Sequence, residues 1–307
     1  MANKTVLVAP LHWGLGHAAR CIPIIKQQLD QGHEVLIAAT DGPKALLSEH
    51  FAACRFVDIP FMKITYPRDG NMARHFFLRG PQLLWSIWCE HKLLKKLVKK
   101  ESIDLVISDS RFGLWNKHVQ SIFITHQVEI KSPVFQRFIN SINRWVMNRF
   151  DEVWIPDYEQ TPGLAGELSH PTKMPLKYTY IGPLSRFEKP IIKSNSANKI
   201  VALISGPEPQ RTMFENDIVE RFKDTSQEVL ILSGKPGPSR KREMNNINVI
   251  NHLNDEALIS ALESAALVIA RSGYSTIMDF HVLGVQAELM ATPGQTEQEY
   301  LNRLHKA

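Results

Sequence analysis

The sequence predicts an α/β protein made of two successive halves, each a largely parallel sheet covered by helices. Three observations carry this expectation. Short apolar runs such as Val6-Leu7-Val8-Ala9 and Leu105-Val106-Ile107 alternate with helix-length segments, the pattern of strands buried on both faces. The alternation runs to Gly182, gives way to a polar stretch, and restarts at Ile200. The chain's 307 residues also exceed the roughly 250–300 that a single core usually organises.

In order, Lys4–Ala9 reads as a strand and leads into a loop with Gly14, Gly16 and His17. Ala18–Gln31 reads as a helix stopped by Gly32. Strands are expected at Glu34–Ala39 and Arg55–Ile59, around a turn at Asp41-Gly42-Pro43 and a short helix to His50. Pro60–Gly70 reads as a loop. A long helix is expected from about Arg74 to Lys100, with a break near Gly80-Pro81. Asp104–Ser108, Ser121–Thr125, Asp151–Ile155 and Tyr178–Gly182 are further strands. Residues 1–184 are thus the expected first domain and 185–199 a polar linker. Residues 200–307 form the second domain, with strands at Ile200–Ile204, Glu228–Leu232, Ile247–Ile250, Leu267–Ala270 and Gln286–Met290. Its helices follow Ser205–Gln210, then run Asp255–Ser264, Gly273–Leu283 and Thr296–His305. Gly234–Arg242 reads as a basic loop.

Composition bounds the function. With 44% hydrophobic and 22% charged residues, the chain reads as an ordinary globular protein. Its three separated cysteines, Cys21, Cys54 and Cys89, suit neither a disulfide framework nor a zinc ribbon and favour the cytoplasm. No signal peptide is expected, and no apolar run nears the roughly 18 residues that cross a bilayer. The net charge of +5 favours an anionic partner, with nucleic acid not among those expected.

In parallel α/β sheets, ligands bind beyond the carboxyl ends of the strands. The first half offers Gly14, Gly16 and His17 there, then Ser108-Asp109 and Thr125-His126-Gln127. The second offers Ser205-Gly206, Arg271-Ser272-Gly273 and Thr292-Pro293-Gly294. The opening Gly-x-Gly-His lacks the third glycine of a dinucleotide fingerprint, and no acidic residue ends the second strand. Two loops entering helices in the second half, after Ser205 and after Arg271, suit a diphosphate, because backbone N–H groups and the positive helix end stabilise anions. The alternative is that these Ser, Thr and Gly residues are ordinary N-caps.

Trp13-Gly14-Leu15-Gly16-His17, the Ser205-Gly206 loop, ARSGYSTIMD and TPGQTEQEYLN together resemble nucleotide-sugar glycosyltransferases of the GT-B fold, in particular glycosyltransferase family 28, the MurG-like and diacylglycerol glucosyltransferase-like enzymes. The resemblance implies two Rossmann-like domains facing across a cleft, with a UDP-sugar held by the second. It places Ser205 and Gly206 at the diphosphate, with Ser272, Gly273, Ser275 and Thr276 as phosphate donors. Asp279 falls at the acidic, usually Glu, position that holds the ribose hydroxyls. Gln298 and Asn302, with Glu299 beside them, fall at positions that read the sugar. Arg211 and Arg271 are candidate phosphate partners.

His17 is the candidate general base, or a residue that only packs at the turn. A helix N-terminus lowers a histidine pKa and favours its proton-accepting form. Asp109 is the rival base, or the cap of a helix starting near Arg111. His126 is expected to pack or to bond backbone. The implied reaction is inverting transfer of a hexose or N-acetylhexosamine to a hydroxyl acceptor, lipid-linked or of the cell envelope. No metal or other cofactor is implied, and the chain holds no Asp-x-Asp pair. Phe76–Lys100, with Trp85, Trp88 and five lysines, reads either as a crossover helix whose lysines complement its own dipole or as a peripheral contact with anionic membrane. Competing readings are a UDP-sugar epimerase or hydrolase on the same scaffold, and an inactive sugar-nucleotide-binding protein. The family pattern continues beyond TPGQTEQEYLNRL, so a C-terminally shortened second domain is expected.

Overall fold

The protein is described by a computed structural model covering residues 3–59, 72–194, 198–236 and 241–306. The expected loop Pro60–Gly70, residues 195–197 of the linker and residues 237–240 of the basic loop lie outside the described residues. The chain divides into two compact units whose main boundary falls between Arg186 and Phe187, with the short stretch Gly14–Gly16 and Met72 grouped with the second.

The first unit runs β1 (Thr5–Ala9), α1 (Leu15–Asp30), β2 (Glu34–Ala38), α2 (Asp41–His50), β3 (Arg55–Val57), α3 (Met72–Glu101), β4 (Leu105–Asp109), β5 (Gln120–Ile124), α4 (Gln136–Met147), β6 (Glu152–Ile155) and β7 (Tyr178–Tyr180). A 3-10 turn at Gly166–Leu168 precedes β7. The seven strands lie in the order β3-β2-β1-β4-β5-β6-β7, and every neighbouring pair is parallel. From β1 the chain winds outward through β2 and β3, then returns to β4 on the other side of β1. That reversal makes the β1/β4 edge the topological switch point, where loops diverge and leave room for a ligand. Ala9 pairs with Ser108, so the loops after β1 and β4 leave the sheet side by side. Leu7, Leu36, Val106, Leu94 and Leu114 form one apolar core, and Phe123, Met147, Phe150 and Val153 another.

The second unit runs β8 (Lys199–Leu203), α5 (Gln210–Phe222), β9 (Val229–Leu232), β10 (Lys241–Met244), β11 (Ile247–Ile250), α6 (Asp255–Glu263), β12 (Ala265–Arg271), α7 (Tyr274–Leu283), β13 (Glu288–Met290) and α8 (Thr296–Leu304). Its order is β10-β11-β9-β8-β12-β13, parallel except for the β10–β11 pair. Here the switch point lies between β8 and β12.

Most elements match the sequence expectation to within a few residues, with five differences. The stretch from Phe187 on is not a loose linker. Phe187 is buried with Val201 and Leu283, Ile191 N–H donates to Leu283 O and Ser194 N–H to Glu263 O, so it is stitched to the second unit. α3 continues through Pro81 without a break. The end of the expected basic loop forms an edge strand, β10, and α4 has no counterpart among the expected elements. No helix starts at Arg111, where residues 112–118 make turns instead.

Candidate functional site

At the first switch point, the chain leaves β1 through Gly14, whose φ of +118° is a conformation that favours glycine. α1 then starts at Leu15, so Gly16 and His17 stand in its first turn. Arg20 follows His17 by three residues and shares its helix face. Both side chains reach the end of β4. Arg20 Nε donates to Asp109 Oδ2 at 2.9 Å and Nη2 donates to Oδ1, a bidentate fork on a fully buried carboxylate. His17 Nδ1 lies 2.9 Å from Asp109 Oδ2 and 2.9 Å from Arg20 Nη2. Arg20 Nη1 lies 3.2 Å from Nδ1 of His126, which is buried just past β5.

This network corrects the expectation that Asp109 caps a helix. Its carboxylate turns inward onto Arg20 and His17, while Ser110, held at φ +57°, turns the chain away. Burial pushes the Asp109 carboxyl upward. The Arg20 charge, then the imidazole of His17, outweigh this and hold it far below the usual carboxylate range. Burial, then Arg20, lower His17 against the opposing pull of Asp109, so its ring is neutral at neutral pH. Burial and the Arg20 charge, not the helix end alone, account for the lowered value. Cys21 Sγ lies 3.8 Å from Asp109 Oδ2, and burial raises its thiol pKa strongly, leaving it a protonated, inert neighbour. With 20% of its side chain exposed, His17 is the most accessible member of the His17–Arg20–Asp109 cluster.

The second switch point gathers the other predicted residues. β8 ends before Ser205, which is exposed, and Gly206, at φ +100°. Glu208 caps the start of α5, accepting from the Thr212 N–H and hydroxyl and forking onto Arg211, which holds its carboxyl down at about 2. Arg211 is thereby tied to Glu208 and to Gly234 O. After β12, Gly273 is the N-cap of α7, and the N–H groups of Ser275 and Thr276 precede the first intrahelical donor, Ile277. Both residues are partly exposed. Asp279 stands one turn beyond Ser275 on the same face.

Two expectations change here. Ser272 is fully buried; its N–H donates to Met290 O at 3.3 Å and its hydroxyl to Gln298 O at 2.8 Å, so it ties β12 to β13 and α8. Arg271 is buried rather than presented to a phosphate. Its guanidinium lies 3.9 Å from the Phe214 ring centroid, donates to Ala291 O, and has its pKa lowered to about 10 by burial. On α8, Gln298 Oε1 accepts from Thr292 N–H and Glu299 Oε1 from Gly294 N–H, which fixes the turn before the helix. Asn302 Oδ1 is buried without a hydrogen-bond partner among the described residues. Among sequence-predicted residues, the structure joins His17 with Asp109, and Ser272 with Gln298. It adds Arg20, which sequence reasoning missed although its i+3 spacing from His17 was readable.

No protein-family model matches the chain. It is 24% identical over 314 aligned positions to a protein of Methanosarcina acetivorans described as an uncharacterized glycosyltransferase, covering 93% of this chain and 79% of that one; a protein of the same description from Methanosarcina mazei aligns with the same identity and coverage. Among solved structures, Arabidopsis thaliana UGT89C1 in complex with UDP-L-rhamnose superposes with a TM-score of 0.63 at 14% identity, over 100% of this chain and 85% of that one. The fold is GT-B. A putative UDP-N-acetylglucosamine 2-epimerase of Listeria monocytogenes (TM-score 0.58, 15% identity, 99% and 87% covered) and MurG of Acinetobacter baumannii (0.52, 13%, 99% and 90%) share it.

Proposed function

We propose that this GT-B chain, a glycosyltransferase by its fold and its curated relatives, moves a hexose or N-acetylhexosamine from a UDP-sugar to a hydroxyl acceptor with inversion. The observation that carries this reading is the imidazole of His17 on a buried, ionised Asp109. With the Nδ1 proton directed at Asp109 Oδ2, Nε2 carries the lone pair and can accept a proton from an acceptor hydroxyl. The acceptor oxygen then bonds to the anomeric carbon as the bond from that carbon to the diphosphate oxygen breaks. UDP departs with the electron pair, and Asp109 stabilises the imidazolium formed on His17. In the second unit, the Ser275 and Thr276 N–H groups and the positive end of α7 suit the departing diphosphate. Ser205 and Gly206 would flank it, and Asp279 would accept from the ribose hydroxyls. Gln298, Glu299 and Asn302 would face the sugar, and the unpartnered Asn302 oxygen supports a donor there. This reading needs no metal.

Nucleotide sugars screened by thermal shift, then by UDP release with hydroxyl acceptors, test it. Stabilisation by UDP compounds and acceptor-dependent UDP release are expected; no response to any UDP compound would sink it. A changed sugar without an acceptor would favour the epimerase reading, and binding without turnover an inactive binding protein.

A further inference from the structure

We infer that Ser110 is a positioning residue for the transfer step: by accepting a hydrogen from Arg20, its hydroxyl holds His17 in the tautomer that can act as a base. The inference rests on His17 being that base, and it gives a role to a side chain outside the His17–Asp109 pair.

Around Arg20 Nη2 there are more acceptor atoms than hydrogens. This nitrogen carries two hydrogens and has three partners in reach: Asp109 Oδ1, His17 Nδ1 at 2.9 Å and Ser110 Oγ at 3.1 Å. Asp109 Oδ1, a carboxylate oxygen in the closest contact, takes one hydrogen. The other goes to His17 or to Ser110. The two outcomes differ chemically, because His17 Nδ1 also lies 2.9 Å from Asp109 Oδ2. If Arg20 donates to Nδ1, the neutral ring carries its proton on Nε2 and has no lone pair left for an acceptor hydroxyl. If Arg20 donates to Ser110, Nδ1 keeps its proton for Asp109 and Nε2 stays open as a base.

Bond counting favours the second arrangement while the hydroxyl is present. It makes two charge-assisted bonds, from Nδ1–H to the carboxylate and from the guanidinium to the hydroxyl. The first makes only the guanidinium–imidazole bond and sets the Nδ1 lone pair against Asp109 Oδ2. Without the hydroxyl, each arrangement keeps one such bond and one facing pair of like groups, so the two come near balance.

The surroundings leave this choice to Ser110. Arg20 is 2% exposed, with Nε on Asp109 Oδ2 and Nη1 3.2 Å from His126 Nδ1, so Nη2 cannot swing away. The hydroxyl hydrogen of Ser110 has acceptors in Asp109 Oδ1 and Ile124 O, each 3.3 Å away, which leaves the oxygen to accept from Arg20. The backbone adds a second observation. Ser110 sits at φ +57°, where glycine is unstrained and serine is not. The turn is held by its N–H on Ile124 O at 3.0 Å, a bond that glycine would make equally well. The hydroxyl, not the turn, therefore accounts for a serine here.

The test is 15N NMR of the two His17 ring nitrogens in the full chain, above the ordinary histidine titration range, with signals assigned by their loss in His17→Ala. In the unaltered protein Nδ1 should be protonated and Nε2 not. Ser110→Gly removes the hydroxyl and suits the positive φ, whereas Ser110→Ala removes it and keeps the strain. In both, the tautomer ratio should move about tenfold or more towards Nε2–H, the worth of one bond to a charged group. As the two forms approach balance, kcat should fall about twofold or more with KM for the UDP-sugar unchanged. A serine that only shaped the turn would leave the ring nitrogens as they were. An unchanged ratio in both variants would overturn the inference and leave His17 as the base. So would a shifted ratio with unaltered kcat. A protonated Nε2 in the unaltered protein would instead sink the base assignment on which the inference rests.

Discussion

Arg20 sets the electrostatics of the first site, because one guanidinium serves two residues with opposite needs. Its fork keeps Asp109 ionised in a buried position, and its charge adds to burial in keeping a proton off His17. Between the lowered folded value and the reference 6.5, the unfolded chain carries a His17 proton that the folded chain lacks. Stability therefore rises with pH through that window and falls as pH drops below 6.5. If His17 is the base, the acid limb of kcat/KM falls below pH 6.5. In Arg20→Gln the second-largest lowering influence is gone while Asp109 remains, so the His17 ring should titrate higher. 15N NMR of the imidazole reads this without needing turnover, and an unchanged or lower titration would refute the role given to Arg20. His17→Ala should cut kcat by about 10²–10⁴-fold, the usual worth of a general base, and leave UDP affinity by calorimetry unaltered. Loss of UDP binding instead would mark His17 as a donor-site residue.

At the scale of elements, α3 is fastened to the loop after β4 by a buried ion pair and a glycine. Arg111 Nε donates to Glu90 Oε1 at 2.9 Å and its Nη2 to Ile59 O, with both partners of the pair almost wholly buried. At Gly113 a Cβ would fall 2.4 Å from Ile87 O and 2.7 Å from Glu90 Cβ, so only glycine lets the helix come this close. Glu90→Ala removes the buried carboxylate that faces the Arg111 guanidinium and should cost about 3–5 kcal/mol in denaturant unfolding. Replacing both partners by apolar residues of similar volume should cost much less. These elements also mark what could be read beforehand. β1, β8 and β12 were legible because their apolar runs and following glycines are local signals, and β4 because of its apolar run alone. β10 was not, because Lys241-Arg242-Glu243-Met244 is a polar edge strand that owes its form to β11. α4 went unread although Phe138, Ile142 and Trp145 recur at helical spacing, because Phe135 at its N-cap supplies no capping side chain to mark a start. The candidate site was half legible: His17 and Asp109 stood at strand ends, but a bond spanning 89 residues, as between Arg20 and Asp109, leaves no trace in local sequence. Arg271 and Ser272 were legible as positions, yet their buried partners, Phe214 and Gln298, come from elsewhere in the chain.

For the whole molecule, two units with separate apolar cores mean that unfolding need not be one transition. The chain supplies a way to tell them apart. All six tryptophans, from Trp13 to Trp154, lie before Arg186, so tryptophan fluorescence reports on the first unit alone, whereas far-UV circular dichroism sees the helices of both. If the donor nucleotide is held at the β8/β12 switch point, UDP at 100 times its Kd adds about 2.7 kcal/mol to the unit that binds it. The dichroism melt should then gain a component that moves up with UDP while the tryptophan melt stays put, and His17→Ala should leave this shift intact. A tryptophan melt that moves alone would place the nucleotide on the first unit. Equal movement of both would mean that the two cores unfold as one cooperative body.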